Sequence, residues 1–350
     1  MTTQGIVPGE WQAIHIFYAG DPGPLLMQCV DPLVNGLIVD GLVSEYFFVH
    51  SWLEGPHLRL RLRPRAGADT RQILRRSRTA VSAFLEDRPA LYEIKPELVD
   101  FYSTMFEIDY TPEQRKLLLE PDGRARLRPT NTFSFEPYEP EWGRYGGEAG
   151  VALAEWHFKH SSDLVIEAAR SMDLRRRPAQ LTLGAQLMMV MATAFLRDDQ
   201  RIEEFLLHYQ EFWLRTFSLA APPTQAGYDR GYNTMGPDVR RRFARVRRAF
   251  GEDAGRLPGL FHTWAEHCTE LRERVVDLAE RGKLVFRSWN PGGHLADPPA
   301  ALELLLTPYL RMTNNRLHLA MRDEPYLAYL LARSLRETVD QEAQAGAAGA

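Results

Sequence analysis

Residues 57–63 read His-Leu-Arg-Leu-Arg-Leu-Arg, apolar and cationic in strict alternation. A period of two predicts a β-strand, with Leu58, Leu60 and Leu62 toward a core and His57, Arg59, Arg61 and Arg63 on the other face. Two β-prone runs precede it. Trp11–Tyr18 stops at the turn-forming Gly20-Asp21-Pro22-Gly23-Pro24, and Tyr46–Trp52 stops at Gly55-Pro56. Thr130–Phe135 predicts a further strand, within a mixed stretch over 91–135. Helical periodicity dominates elsewhere: over 69–86 behind an Asp69 cap, 147–172, 179–197, 201–217 and 258–282. In the second of these, Val151, Ala154, Phe158, Leu164 and Ala168 lie near one stripe. A loop bearing Gly227, Gly231, Gly236 and Pro237 is expected before a basic helix over 238–250. Leu284–Phe286 predicts a short strand, and C-terminal helices follow it. A sheet first and helices after predicts the α+β class, an N-terminal, mostly antiparallel sheet packed with a large helical portion. One domain over 1–340 is expected, sheet-rich over 10–140 and helix-rich over 147–340, with a disordered tail over 341–350.

Composition narrows the function classes. Hydrophobic residues make up 45% and charged residues 25%, an ordinary globular balance. The formal charge of −4 gives no bulk argument for nucleic acid or an anionic membrane as partner. Cys29 and Cys268 are the only cysteines, so a disulfide framework or a zinc site is not expected and a reduced cytoplasm is. MTTQGIVPGEW lacks a basic-then-apolar signal pattern, and no apolar run approaches the ~20 residues of a membrane span. No HExxH, CxxC, P-loop or GxSxG motif occurs, and no metal or cofactor is expected. His157 and His160, three apart, read as local packing.

Four polar segments stand out. TPYLRMTNNRL, residues 307–317, lies between the apolar runs 301–306 and 326–331. It is either a helix face that meets water or a site. In Tyr138–Gly147, Glu141 and Arg144 precede Gly146-Gly147; the acid and base either pin their own loop or serve chemistry. The cations of 57–63 repel one another across ~7 Å spacings, so that face is either solvated on an outer strand or compensated by an anion. The basic helix carries Arg240, Arg241, Arg242, Arg245, Arg247 and Arg248 opposite Phe243, Val246 and Phe250. It reads as a solvated amphipathic face, with an acidic peptide as the alternative partner.

Taken in order, these segments resemble the thiopeptide-type bacteriocin biosynthesis family, related to the glutamate-elimination domain at the C-terminus of class I lanthipeptide dehydratases. The resemblance rests on Trp11 and its strand, on Phe47-Phe48 through Trp52 to Gly55–Arg61, on Tyr138–Gly147 with Glu155 and Phe158, and on Met312–Leu317. It implies the fold of that elimination domain. It also implies a modified precursor peptide, leader plus dehydroalanine-containing core, as partner, with no nucleic acid, no membrane and no cofactor; a homodimer is open. One branch eliminates glutamate from glutamylated Ser or Thr. The other joins two dehydroalanines in a formal aza-[4+2] cycloaddition, then loses water and the leader. A chain of this length has no room for the tRNA-dependent glutamyl-transfer domain.

Arg59, Arg61, Glu141, Arg144, Asn315 and Arg316 match the family pattern, but Arg311 stands where the elimination branch has a histidine. Arginine gives up no proton near neutrality, which weakens elimination; Arg311 is atypical for both branches, and the Thr313-Asn314-Asn315 run leans toward the pyridine synthase branch. A split elimination lyase or a non-catalytic partner in a dehydratase complex are the alternatives. Cyclisation asks mainly that reactants be held together, an effect worth ~7–11 kcal/mol. Tyr309, Ser288, His57 and His294 are then the candidate proton shuttles, with Glu141 and Arg144 in the catalytic set. Trp52, Arg59, Arg61, Tyr138, Arg311, Thr313, Asn314, Asn315 and Arg316 are the candidate substrate contacts, expected to meet at one cleft. Arg241 and Arg245 are the candidate leader contacts.

Overall fold

The computed structural model describes residues 11–91, 126–216, 225–251, 257–287 and 293–348. Where one domain over 1–340 is expected, the chain resolves into two compact units. The first is Met1–Glu139 with Val165–Arg175, and the second is Pro140–Leu164 with Arg176–Ala350.

The first unit is built on an antiparallel sheet of β1 (Gln12–Phe17), β2 (Val43–Ser51), β3 (His57–Pro64) and β4 (Thr132–Glu136), in the order β2-β3-β1-β4. The alternating strand β3 is therefore interior, not the outer strand that a solvated cationic face would need. One face carries Ile14, Ile16, Phe48, Leu58, Leu60 and Leu62, all buried. Helix α2 (Asp31–Val39) packs on β2, and α3 (Thr70–Asp87) packs on α2. Asp69 caps α3 as expected, accepting the Arg71 amide at 2.9 Å. The expected turn at 20–24 instead starts a helix. Asp21 accepts the Gly23 amide at 2.9 Å, Pro22 opens α1 (Pro22–Leu25), and a π-helical segment, Leu26–Val30, leads into α2. Proline suits a first helical position because its missing N–H has no partner there.

The second unit is helical. It contains α4 (Trp142–Tyr145), most of α5 (Glu148–Ser171), α6 (Arg177–Leu196), α7 (Asp199–Thr216), α8 (Gln225–Phe250), α9 (Leu260–Glu280), the pair β5 (Val285–Phe286) and β6 (His294–Leu295), α10 (Pro298–Arg316) and α11 (Glu324–Ala348). Helix α6 is the axis, with α7, α8, α9, α10 and α11 all packed on it. It is long and apolar enough to cross a membrane, but 78% of its apolar window is buried inside the fold, so it reads as a core helix. The expected loop around Gly227–Pro237 is part of α8. A side chain at Gly231 would place its Cβ 2.1 Å from the Tyr326 hydroxyl, so the glycine lets that tyrosine lie against the helix backbone. Helix α11 reaches Ala348 where a disordered tail is expected, in keeping with the helix propensity of alanine.

Candidate functional site

In the first unit, strand register collects one polar face. It places His15 beside Arg59 and Ser134, Ala13 beside Arg61 and Glu136, and Phe17 beside His57. Far from being solvated, this face is partly roofed. The Tyr138 ring lies 5.3 Å from the Arg61 guanidinium, Trp11 lies 4.4 Å from that of Arg63, and Phe47 meets Trp11 edge-on. His57 stacks between Phe17 and His15. Its Nδ1 lies 2.8 Å from the Gly55 carbonyl, which only accepts, so Nδ1 carries the proton and Nε2 accepts the Arg59 Nε–H at 3.0 Å. Burial, then Arg59, lowers the His57 pKa to about 3; burial, then Arg61, lowers that of His15 to about 2. Both rings are neutral near pH 7. With both nitrogens engaged, His57 is set up to orient Arg59 rather than to shuttle protons. Glu136 is taken by Arg128, which donates to it at 2.8 Å and to Ser134 at 2.6 Å.

Arg61 is the informative member of this face. It is 7% exposed, and its Nη1 has no hydrogen-bond partner among the described residues. Burial, then Arg59, lowers its pKa to about 10, so it stays a cation. A buried guanidinium with an open donor is a place for a carbonyl or carboxylate oxygen. Trp52 sits half-buried in the β2–β3 turn, its carbonyl accepting the Gly55 amide.

In the second unit, Glu141 and Arg144 form an exposed ion pair at 3.6 Å that spans their own short helix. Gly146 and Gly147 both take left-handed backbone, φ +85° and +87°, as the Gly-Gly pair suggests. The turn is tied to β5: Val285 donates to the Gly146 carbonyl and Arg287 to that of Gly143. Ser288 lies outside the described residues. His294 is exposed on β6 opposite Phe286.

Tyr145 carries this turn inward. Its ring stacks on Tyr309 at 6.1 Å and meets Phe158 edge-on at 5.4 Å. The expectation for α10 of a face lining a cleft, with water as the plain alternative, gives way to burial: Tyr309, Thr313, Asn314, Asn315 and Arg316 are all inside. Arg316 lies over Phe158 at 4.5 Å, donates to Ser162 at 3.1 Å, and returns a bond to the Met312 carbonyl. Thr313 gives its proton to the Tyr309 carbonyl, so it can only accept from His157 Nε2 at 3.4 Å. His157 Nδ1 then accepts from His267 Nε2 at 2.9 Å. Burial lowers both imidazole pKa values, keeping the rings neutral. Tyr145 and Tyr309 each bury a hydroxyl with no partner among the described residues, and burial raises both pKa values. They are neutral donors with unused protons.

Arg311 points to a different cluster. Its Nη1 lies 3.5 Å from Glu324 Oε1, and its guanidinium lies over Trp213 at 5.6 Å. Glu324 Oε2 accepts from Tyr209 at 2.8 Å and Asn314 at 2.7 Å. Glu324 is fully buried, and burial raises its pKa to about 7 against the opposing pulls of Arg311, Asn314 and Tyr209.

The basic helix largely serves the fold. Arg240 pairs with Glu337, Arg242 with Gln186, and Arg247 with Asp199 and Glu342. Of the two candidate leader contacts, Arg241 is held by Asp238 one turn away, and Arg245 is exposed. Among the described residues no three His, Cys, Asp or Glu side chains could hold a metal ion. Sequence reasoning missed His15, Tyr145, His157, His267 and Glu324. His15 had a signal: it alternates with Ile14 and Ile16, on the face of the arginines. Glu324 had none, since an acid in a first helical turn is ordinary.

The fold resembles known structures along its whole length. The pyridine synthase TbtD, from thiomuracin biosynthesis, superposes with a TM-score of 0.70 at 18% identity, over 93% of this chain and 97% of TbtD. TsrL superposes with a TM-score of 0.67 at 17% identity, over 95% of each chain. The tRNA-dependent lantibiotic dehydratase MibB from Microbispora sp. 107891 matches with a TM-score of 0.52 at 17% identity, over 97% of this chain but 29% of MibB. No curated protein matches in sequence. The model of the lantibiotic biosynthesis dehydratase C-terminal family spans residues 11–335, and the chain belongs to that family.

Proposed function

We propose that this protein is a peptide-modifying enzyme of ribosomal peptide biosynthesis, a pyridine synthase that joins two dehydroalanines of a precursor core and then releases water and the leader. The observation that carries the choice of reaction is Arg311. Position 311 itself carries no titrating group but a guanidinium, set against buried Glu324, whose pKa is raised to about 7. Cycloaddition needs reactants held in contact and an amide carried into its imidic-acid form, which neutral donors favour. Within the second unit, the unused hydroxyls of Tyr309 and Tyr145 supply neutral protons. Within the first unit, considered by itself, Arg61 offers an open cationic donor for a peptide oxygen, with Arg59 oriented beside it by His57. Incubation with a leader-bearing peptide that contains two dehydroalanines should give a pyridine-centred macrocycle and a leader carboxamide by mass spectrometry; an unchanged linear peptide rejects the proposal.

Elimination of glutamate is the second reading. It is supported by His157, a neutral imidazole that could take over from the histidine absent at 311 once substrate displaces its long, 3.4 Å bond to Thr313. On either reading the leader is an acidic peptide held in part by Arg245 and Arg241. Its affinity should fall with ionic strength and with Arg245→Ala. Indifference to both places the leader elsewhere.

A further inference from the structure

Helix α7 buries Ile202, Leu206, Tyr209 and Trp213 in the second unit. Beside that stripe runs another of mixed character. Phe212 is 47% exposed, Phe205 is half-buried, and Glu204 and His208 face solvent. Together with Tyr209 and with Glu303 and Thr307 of α10 they line a cleft of about 360 Å³, a volume in the range of small-ligand sites. None of the cleft's exposed residues belongs to the polar groups described above.

The charges along the cleft are unequal. Arg201 is already bound to Glu303 at 2.7 Å. Glu204 takes only the Gln200 amide, at 2.9 Å, among the described residues. That leaves one carboxylate without a cation beside three aromatic rings. Aromatic faces attract cations through their quadrupole, and a nearby carboxylate adds to the attraction. The inner wall is firm, because the Tyr209 hydroxyl is fixed on buried Glu324 at 2.8 Å.

We propose that this cleft binds a cationic side chain of a peptide, a lysine or arginine, between the rings of Phe205 and Phe212 and the Glu204 carboxylate. The site is independent of the reaction proposed above and needs no modified peptide. Trp213, 5.2 Å from Phe212 between ring centroids, provides a reporter in its indole N–H resonance. The full chain is titrated with Nα-acetyl-lysine amide, with its arginine counterpart and with the uncharged Nα-acetyl-norleucine amide. The cationic probes should shift that resonance saturably and bind about tenfold more tightly than norleucine. Glu204→Gln, a change at an exposed position, should remove that preference. Glu211→Gln, at a residue held by Arg215 on the same helix, should keep it. Equal binding of norleucine, no response to Glu204→Gln, or the same loss in both variants overturns the site.

Discussion

Glu324 lies at the centre of the buried polar cluster in the second unit, and its charge is linked to stability. An unfolded glutamate titrates near ~4.3, while the folded group titrates at about 7. Below the lower value both states are protonated, and nothing is lost. As pH rises from about 4 to 7 the unfolded state ionises first, so this group's contribution falls by about 3 kcal/mol. His15 and His57 act oppositely. Their folded pKa values are depressed, so their contribution is complete above ~6.5 and is lost as pH falls toward 3. The difference between Glu324→Gln and the parent protein removes the histidine slope. Urea midpoints should show the variant gaining on the parent between about pH 5 and 7.5, and a constant gap would contradict the buried, uncharged carboxyl. Tyr309 is a cleaner probe of chemistry. Its hydroxyl bonds to nothing among the described residues, so Tyr309→Phe should change stability by less than about 1 kcal/mol. If the phenol serves the transition state, kcat should fall at least tenfold with KM little changed. Unchanged kcat would leave Tyr309 a packing residue. Its burial was readable in the spacing. Leu302, Leu305, Leu306 and Tyr309 make a core stripe, and the same stripe extended reaches Thr313 and Arg316. The polarity of the segment drew attention away from its period.

Among the elements, regular patterns were legible and exceptions were not. Strand β3 declared itself by alternation, but its interior place in the sheet depends on pairing with β1, which no local pattern encodes. Prolines and glycines misled twice in the same way. Pro22 starts a helix where a turn is expected, and Gly231 makes room for Tyr326 inside a helix instead of breaking it. The Gly146-Gly147 turn behaved as its composition suggests, and its tightness can be ranked against the next glycine. A Cβ at Gly150 would lie 1.7 Å from the Tyr145 carbonyl oxygen, whereas at Gly147 the nearest atom is 4.0 Å away and only the backbone angle objects. Gly150→Ala should therefore cost about 3 kcal/mol or more, and Gly147→Ala about 1–2 kcal/mol. Equal shifts in urea midpoint would show that the turn is not anchored through Tyr145.

On the scale of the whole molecule, family membership was readable because four separate segments kept their order along most of the chain. The reaction was not, because one fold carries more than one chemistry and the difference sits in a few side chains. Arg311 illustrates this: the sequence shows that a proton donor is missing, while its partner, Glu324, is found only in three dimensions. The most direct test offers the purified protein two leader-bearing peptides together, one with two dehydroalanines and one with glutamylated serines, and follows both by mass spectrometry. Conversion of the first to a pyridine macrocycle with release of the leader, while the second keeps its glutamates, is the expected result. Loss of glutamate from the second while the first stays linear would contradict the cyclase assignment and put the elimination lyase in its place.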